Sequence, residues 1–295
     1  HMIYIVVPVF NRAKITLQFL ELLSKQQFRE FKAVVVDDGS SDNTSDLIRA
    51  QYPETEIVTG DGNWWWTKSV NEGIRHALKY SDCTHVLMMN DDTFFEEDYL
   101  LKMWKAQKEV PGCIVGSLNL TFEKPHRVFF SGLKKFRMFT NKGCRYHEPL
   151  AIVDRSKLSG LHPSVALPGR GVLIPVEIIK KYGLYDQDRL PQYGADFSYI
   201  TKLYRKHQVK SYISWDAQVF GYTELTGEGS SFTGESLSTF LRSFIKPKSR
   251  QYLPDKWEIC KVRHGYLLGI PAFFALIVRS LYGYFKRRNL VLSQS

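Results

Sequence analysis

THVLMMNDDT, residues Thr84 to Thr93, begins as a β-strand and ends as a cluster of oxygen donors. Val86 to Met89 is a continuous apolar run, the pattern of a parallel strand buried on both faces, and it breaks off at Asn90, Asp91 and Asp92. Carboxylates at the carboxyl end of such a strand sit where open α/β sheets bind their ligands. Two acidic side chains and an amide repel one another unless a cation or solvent intervenes, and an all-oxygen cluster suits Mg²⁺ or Mn²⁺. A plainer reading of the same residues is a solvated turn, with Thr93 capping a helix that starts in FFEEDYL.

Upstream, the chain alternates strand and helix. Ile3 to Val9 (IYIVVPV) is a buried-type strand, Ala13 to Leu23 carries apolar residues at helical spacing, and Phe31 to Val36 is a strand running into Asp37-Asp38-Gly39-Ser40-Ser41-Asp42. Ser41 or Asp42 is placed to cap a helix over Thr44 to Gln51. A third strand, Glu56 to Thr59, leads through a glycine-rich turn and three tryptophans, Trp64 to Trp66, to a helix from Lys68 to Lys79. This alternation predicts an α/β fold on a doubly wound, mostly parallel sheet. Right-handed crossovers then gather Asp37, Asp38, the tryptophans, Asn90, Asp91 and Asp92 at one rim. The loop after the first strand, Phe10-Asn11-Arg12, has no glycine, so the G-x-G-x-x-G dinucleotide fingerprint is missing there.

PVFNR (Pro8 to Arg12), DDGSSDNT (Asp37 to Thr44), the turn with Asn71-x-Gly73, and NDDT follow one another in an order that resembles the inverting glycosyltransferases of family 2, with the GT-A fold, over residues 3 to 225. The resemblance implies a nucleotide-sugar donor held by Pro8, Phe10, Asn11, Arg12, Asp37, Asp38 and Asp91. It implies Mg²⁺ or Mn²⁺ at Asp92 with Asn90, and Asp196 as the general base toward an acceptor hydroxyl. One indole, Trp65, is expected near the donor, the helix start with Lys68 and Asn71 faces the diphosphate, and Arg170, between Gly169 and Gly171, lies near donor or acceptor. Of the family's Glu-Asp-x-Asp, only the second position is kept, as Asp196; its plainer role is to bond free N–H groups at a helix start. A histidine that family members often place near the end of a later strand is missing from VFGYTEL, where Tyr222 or Glu224 are the available substitutes. The likeness is greatest to bacterial members that build surface polysaccharide or lipopolysaccharide, rhamnosyltransferases among them, which implies a dTDP- or UDP-sugar donor and a glycan or lipid-linked acceptor. Two rivals stay open: a nucleotidyltransferase, and an inactive membrane-docked sugar-binding protein, the latter motivated by the missing histidine and by Ala195.

Downstream, Leu167 to Ile174 reads as extended, Pro175 opens a helix to Lys181, and a further helix runs to Lys206. Val209 to Ile213 and Ala217 to Tyr222 read as two closing strands, and Thr226 to Glu235 as a lid or a linker. At 295 residues, 44% hydrophobic and 24% charged, the chain has the composition of an ordinary globular protein. From Arg242 onward, eleven basic residues face two acidic ones, a net of +9 out of +10 for the whole chain. That distribution argues against a nucleic-acid groove and for a basic appendage that meets something anionic. The expected division is a GT-A catalytic domain over 3–235 and a basic helical segment over 236–295. Within the latter, Gly265 to Val278 is a 14-residue apolar run, short for a bilayer span, so it reads as an interfacial helix on an anionic membrane or as a packing surface, including one for a homodimer. His1-Met2 reads as a cloning remnant, no signal peptide is expected, and four widely spaced cysteines fit reduced thiols at the cytoplasmic face of the plasma membrane.

Overall fold

The computed structural model of the chain describes residues 1–137, 143–223, 236–247 and 249–292. The first half alternates β1 (Met2–Val9), α1 (Ala13–Ser24), β2 (Phe31–Asp37), α2 (Thr44–Gln51), β3 (Glu56–Thr59), α3 (Trp65–Ala77), β4 (Cys83–Met88) and α4 (Tyr99–Glu109). The second half supplies β5 (Ile114–Thr121), β6 (Val128–Phe130), β7 (Leu133–Phe136), β8 (Gly143–Arg145), β9 (Leu161–Pro163), β10 (Val172–Pro175), α5 (Val176–Tyr182), α6 (Ala195–His207) and β11 (Ser211–Gly221). Three helices follow: α7 (Leu237–Ser243), α8 (Leu253–His264) and α9 (Tyr266–Leu292).

The main sheet has the order β3-β2-β1-β4-β10-β5-β11-β9, with β6 on the flank of β5. β1 pairs parallel with β2 and β4, and β2 with β3. β10 runs antiparallel between β4 and β5, and β11 runs parallel to β5. Strands β1 to β4 therefore end on one rim, as the crossover rule requires. β1 shows why its sequence lacks polar alternation: Tyr4 and Val6 enter a core with Val70 and Ile74 of α3, while Ile3, Ile5 and Val7 enter another with Phe19 and Leu20 of α1. Both faces are covered, so every position is apolar.

Several boundaries differ from the sequence reading. The expected strands over Val209 to Ile213 and Ala217 to Tyr222 are one strand, β11, with an irregularity in register between Ser214 and Gln218. Within Leu167 to Ile174 only Val172 onward is strand, because Gly171 holds a positive φ of 77°. The helix expected from Lys68 begins at Trp65 and takes two of the three indoles into its first turn. Neither Ser41 nor Asp42 is the residue that precedes α2; Asn43 is, and it lends no side chain to the cap. Asp42 still supplies the expected cap from one position further back: its Oδ1 accepts from the Thr44 N–H, the first of α2, at 3.3 Å and from the Thr44 hydroxyl, while its Oδ2 accepts from the Ala13 N–H at 2.9 Å at the first turn of α1. Thr93 caps nothing: α4 starts at Tyr99, and the Thr93 hydroxyl is buried without a partner. The stretch 226–235, read as lid or linker, and Glu224 lie outside the described residues.

At the carboxyl end, α8 and α9 pack through Cys260, Ala272 and Leu276, and α7 stacks Phe240 on Tyr284 of α9 at 4.4 Å. α9 runs through Pro271 and past Arg279, so the apolar stretch is longer than the 14 residues read from the sequence. Tyr266–Lys286 is long and apolar enough to cross a membrane by length and composition, and only 17% of that window is buried. Gly73 lets α3 close on the sheet: a Cβ there would lie 2.5 Å from Val6 Cγ1 and 2.7 Å from Val36 Cγ2. Gly73→Ala is expected to cost about 1–3 kcal/mol through overpacking. Thermal denaturation should show the midpoint falling by several degrees.

Candidate active site

A cavity of about 510 Å³ opens on the rim where β1, β2 and β4 end. Its wall is Pro8, Phe10 and Arg12 after β1, Asp38 after β2, Trp65, Trp66 and Ser69 on α3, and Asn90, Asp91 and Asp92 after β4. Gln192 and Tyr193, from the loop before α6, close the far side. The volume lies within the range of small-molecule and cofactor sites.

Asp38 organises one wall. Its Oδ1 accepts from the Gly62 N–H at 2.9 Å, and its Oδ2 accepts from the N–H groups of Trp64 at 2.9 Å and Trp65 at 3.2 Å. One buried carboxylate thus satisfies three backbone donors at the entry to α3, where an anion is favoured by the exposed N–H groups. Trp65, held at a φ of 59°, is turned to the cavity, and Trp66 donates its indole N–H to Asn90 Oδ1 at 3.2 Å.

Opposite this wall lies an alternating set of charges. Arg12 Nη1 is 3.1 Å from Asp91 Oδ1 and 3.6 Å from Asp92 Oδ2, and Arg170 Nη2 donates to Asp92 Oδ1 at 2.8 Å. Thr16 donates its hydroxyl to Asp91 Oδ2 at 3.1 Å. Burial pushes the Asp91 carboxyl above its ordinary value, and Arg12 opposes that shift. The Arg170 carbonyl accepts from Asn119 Nδ2 at 3.3 Å, so the guanidinium is presented from a fixed backbone.

Asp196 sits in the first turn of α6, partly accessible. Its Oδ2 accepts from the Gly169 N–H at 2.7 Å. Gly169 is pinched in place: a Cβ there would stand 2.6 Å from Trp66 Cζ2 and 3.4 Å from Asp196 Cβ. Asp196 and Trp66 thus meet around Gly169, at the edge of the cavity that Trp66 lines. Burial raises the pKa of Asp196, while the N–H groups of Gly169 and Phe197 and the charge of Arg263 on α8 pull it the other way.

Of the residues singled out from the sequence, Pro8, Phe10, Arg12, Asp38, Trp65, Asn90, Asp91 and Asp92 line the cavity. Arg170 and Asp196 reach its edge through Asp92 and through Gly169 and Trp66. Four are placed elsewhere. Asn71 is buried behind α3, donating to the Tyr185 carbonyl at 2.9 Å and accepting from the Tyr185 N–H at 3.1 Å, because its helix face points into the core. Asp37 accepts from Ser40 N at 2.9 Å and from the Ser45 hydroxyl, pinning the loop after β2. Asn11 accepts from Ser41 N at 2.8 Å, and Lys68 Nζ lies 5.0 Å over the Trp64 ring. Gln192 and Tyr193 were not singled out, since only the folding back of their loop brings them to α3, where Gln192 Oε1 accepts from Trp66 N at 3.0 Å. Tyr222, a substitute considered for the missing histidine, packs on Phe94 and Phe122.

The model of the family described as Glycosyl transferase family 2 matches residues 4–156, which carry every strand-end motif of the cavity. The chain belongs to that family. Among relatives of this family 2 chain, glycosyltransferase GlyG of Streptococcus pneumoniae is 35% identical over 117 residues, 39% of this chain and 38% of that protein. The chain spans between 15% and 38% of the length of the curated relatives it matches. In fold it is similar to GalNAc-T7 with UDP, GalNAc and Mn²⁺ (TM-score 0.64, 13% identity, 88% of this chain and 47% of that one). It is also similar to the mannosyltransferase PcManGT from Pyrobaculum calidifontis in complex with GDP-Man and Mn²⁺ (TM-score 0.58, 15% identity, 96% and 71% of the two chains). These likenesses establish the GT-A architecture.

Among the described residues no group of three or more His, Cys, Asp or Glu gathers around one point. Asn90 and Asp92 nevertheless form a small oxygen set beside the cavity, and a hard cation bound by one or two protein ligands and completed by phosphate oxygens fits such a set. Its entry would compete with Trp66 for Asn90 and with Arg170 for Asp92.

A raised carboxyl pKa has a defined effect on stability. Between the ordinary aspartate value and the elevated value of Asp196, the folded state holds the proton more tightly than the unfolded chain, so stability falls as pH rises through that window. Asp196→Asn removes this cost and keeps an oxygen for the Gly169 N–H. Its melting temperature at pH 7 should exceed that of the parent, and the difference should shrink on acidification; equal pH profiles would contradict the assignment.

Proposed function

We propose that the chain is an inverting glycosyltransferase that moves a sugar from a nucleoside-diphospho-sugar to a hydroxyl of a glycan or glycolipid acceptor. The observation that carries this reading is the single cavity uniting the segments after β1, β2 and β4, with the partly accessible, proton-avid Asp196 at its edge. In this reading Phe10, half exposed at the mouth, stacks on the base, and Pro8 and Asp38 bound the nucleoside pocket. Asp38 is fully used by backbone N–H groups, so its role is to shape the wall. Asn11 and Asp37 act through the same loops, as braces.

Arg12 meets the diphosphate, for which it exchanges part of its pairing with Asp91 and Asp92. A Mg²⁺ or Mn²⁺ ion held by Asp92 and Asn90 would neutralise charge on the leaving diphosphate. Arg170, released from Asp92, carries its charge toward the same oxygens. Asp196, with Oδ2 fixed by the Gly169 N–H, takes the proton of the attacking hydroxyl. Attack from the face opposite the diphosphate inverts the anomeric carbon in one displacement. A raised pKa suits this base, because proton transfer is favoured when the acceptor is not too weak.

The tail bears on where the acceptor lies. Leu267, Ile270, Phe274, Val278 and Tyr282 of α9 are exposed along one stripe, and Arg279 and Lys286 stand on the same helix. A membrane-bound acceptor at the cytoplasmic face, in bacterial surface polysaccharide synthesis, is the setting this stripe supports, with residues 236–292 as the docking segment on a catalytic domain.

The test is a thermal-shift panel of UDP, dTDP and GDP with Mg²⁺, Mn²⁺ or chelator, paired with product formation. A ligand at about 100 times its dissociation constant stabilises by roughly 2.7 kcal/mol. One nucleotide should raise the melting temperature and do so more with cation, and Asp92→Ala should lose that cation dependence. Asp196→Asn should keep the nucleotide shift while transfer falls by about 10²- to 10⁴-fold. No shift with any nucleotide, or full turnover in Asp196→Asn, would refute the reading.

A further inference from the structure

A second cavity, of about 340 Å³, lies between α6 and α8 on the far side of α6 from Gly169. α6 presents Ser198, Lys202 and Lys206 to it, three residues spaced by four and therefore stacked on one helix face. Across the cavity, Glu258 of α8 is held by Lys261 at 2.5 Å and by Arg189 at 3.3 Å. Asp186 stands near Arg189 at 3.8 Å. Four cations thus face two carboxylates, and both carboxylates are already engaged. Lys202 and Lys206 have no carboxylate within ion-pair distance among the described residues. Two like charges four apart on a helix repel, and the two carboxylates of the cavity are paired with Arg189 and Lys261 instead.

A second observation points the same way. Ser198 is only 5% exposed, and its hydroxyl has no hydrogen-bond partner, although buried hydroxyls are almost always paired. It sits in the first turn of α6, where its N–H is already bonded to the Gly194 carbonyl at 3.0 Å, so the hydroxyl is the polar group left over. The cavity therefore offers a surplus of two positive charges and an unpaired hydroxyl. A phosphate monoester carries nearly two negative charges at neutral pH and several acceptor oxygens.

We propose that this cavity binds a phosphate group, held by Lys202 and Lys206 with Ser198 at its base. The rim points to its source. Tyr266, the first residue of α9, lines the cavity at 65% exposure, and the exposed apolar stripe of α9 starts beside it at Leu267. A phosphate carried on a lipid would place its head in the cavity and its chains along that stripe. The site is separate from the transfer reaction and stands whether or not α9 touches a bilayer.

Calorimetric titration of the full chain tests this with two probes: inorganic phosphate, and dihexanoyl phosphatidic acid below its micellar concentration. Both should bind saturably, and Lys202→Gln/Lys206→Gln should weaken both on the order of tenfold or more, as expected for loss of charged hydrogen bonds. Lys202→Arg/Lys206→Arg should retain binding. Phosphatidic acid binding much tighter than phosphate assigns a lipid headgroup; equal affinity assigns a free phosphate-bearing ligand, and either supports the site. No saturable binding of either probe, or unchanged affinity in the glutamine variant, would overturn it. The melting temperature of each variant, alone and with nucleotide, reports its fold and the first cavity independently, so failure here is distinct from failure of the transferase reading.

Discussion

Two neighbouring carboxylates leave a strand that is buried on both faces, and two guanidiniums reach them from distant parts of the chain. Asp91 and Asp92 come from the end of β4, Arg12 from the loop after β1, and Arg170 from the approach to β10. Removing one partner of such a set would strand a charge, at a cost of about 3–5 kcal/mol where burial is deep. The pairing therefore ties three loops to one rim. It is also balanced, two negative against two positive, so an incoming anion or cation can be met by exchange of partners without leaving a charge bare.

The same economy governs the opposite wall. Asp38 takes three backbone N–H groups that would otherwise be unsatisfied at the bend into α3, and this fixes Trp65 and Trp66 as one side of the cavity. Trp66 in turn touches Asn90, Gln192 and the position of Gly169. One indole thus connects the strand-end side of the rim to the surroundings of Asp196. The carboxyl-terminal helices lean on this arrangement from behind: Ile259 of α8 packs against Gly194, and Arg205 of α6 donates to the Val262 carbonyl at 2.9 Å. Arg263 adds a charge that partly offsets the burial of Asp196. The tail and α6 are therefore one packing unit, whatever surface the tail itself meets.

Asp196 shows the tension between stability and use. A carboxylate whose pKa is raised by burial is a cost to the folded state at neutral pH, and the N–H groups of Gly169 and Phe197 with the charge of Arg263 do not cancel it. The Arg12–Asp91 pair is asymmetric: the Arg12 side chain is 41% exposed while that of Asp91 is 3% exposed, so the guanidinium is the partner with access to solvent.

The alternation of apolar runs and helical periods determined the parallel half of the sheet, β1 to β4, while the antiparallel pairings of β10, β9 and β6 came only with folding, and the places where the runs stop determined which polar residues reach the rim. Pro8, Arg12, Asp38 and Asp92 were legible because a strand's end is a local property of the sequence. Asn71 and Asp37 sat beside the same motifs yet turned inward, since the facing of a side chain on α3 or in the turn after β2 depends on what packs against it. Gln192, Tyr193 and the cavity behind α6 left no mark in the sequence, being made by loops and helices that meet only after folding. Local hydrogen-bonding patterns write themselves into neighbouring residues; the pairing of Arg170 with Asp92, 78 residues apart, is decided by closure of the sheet.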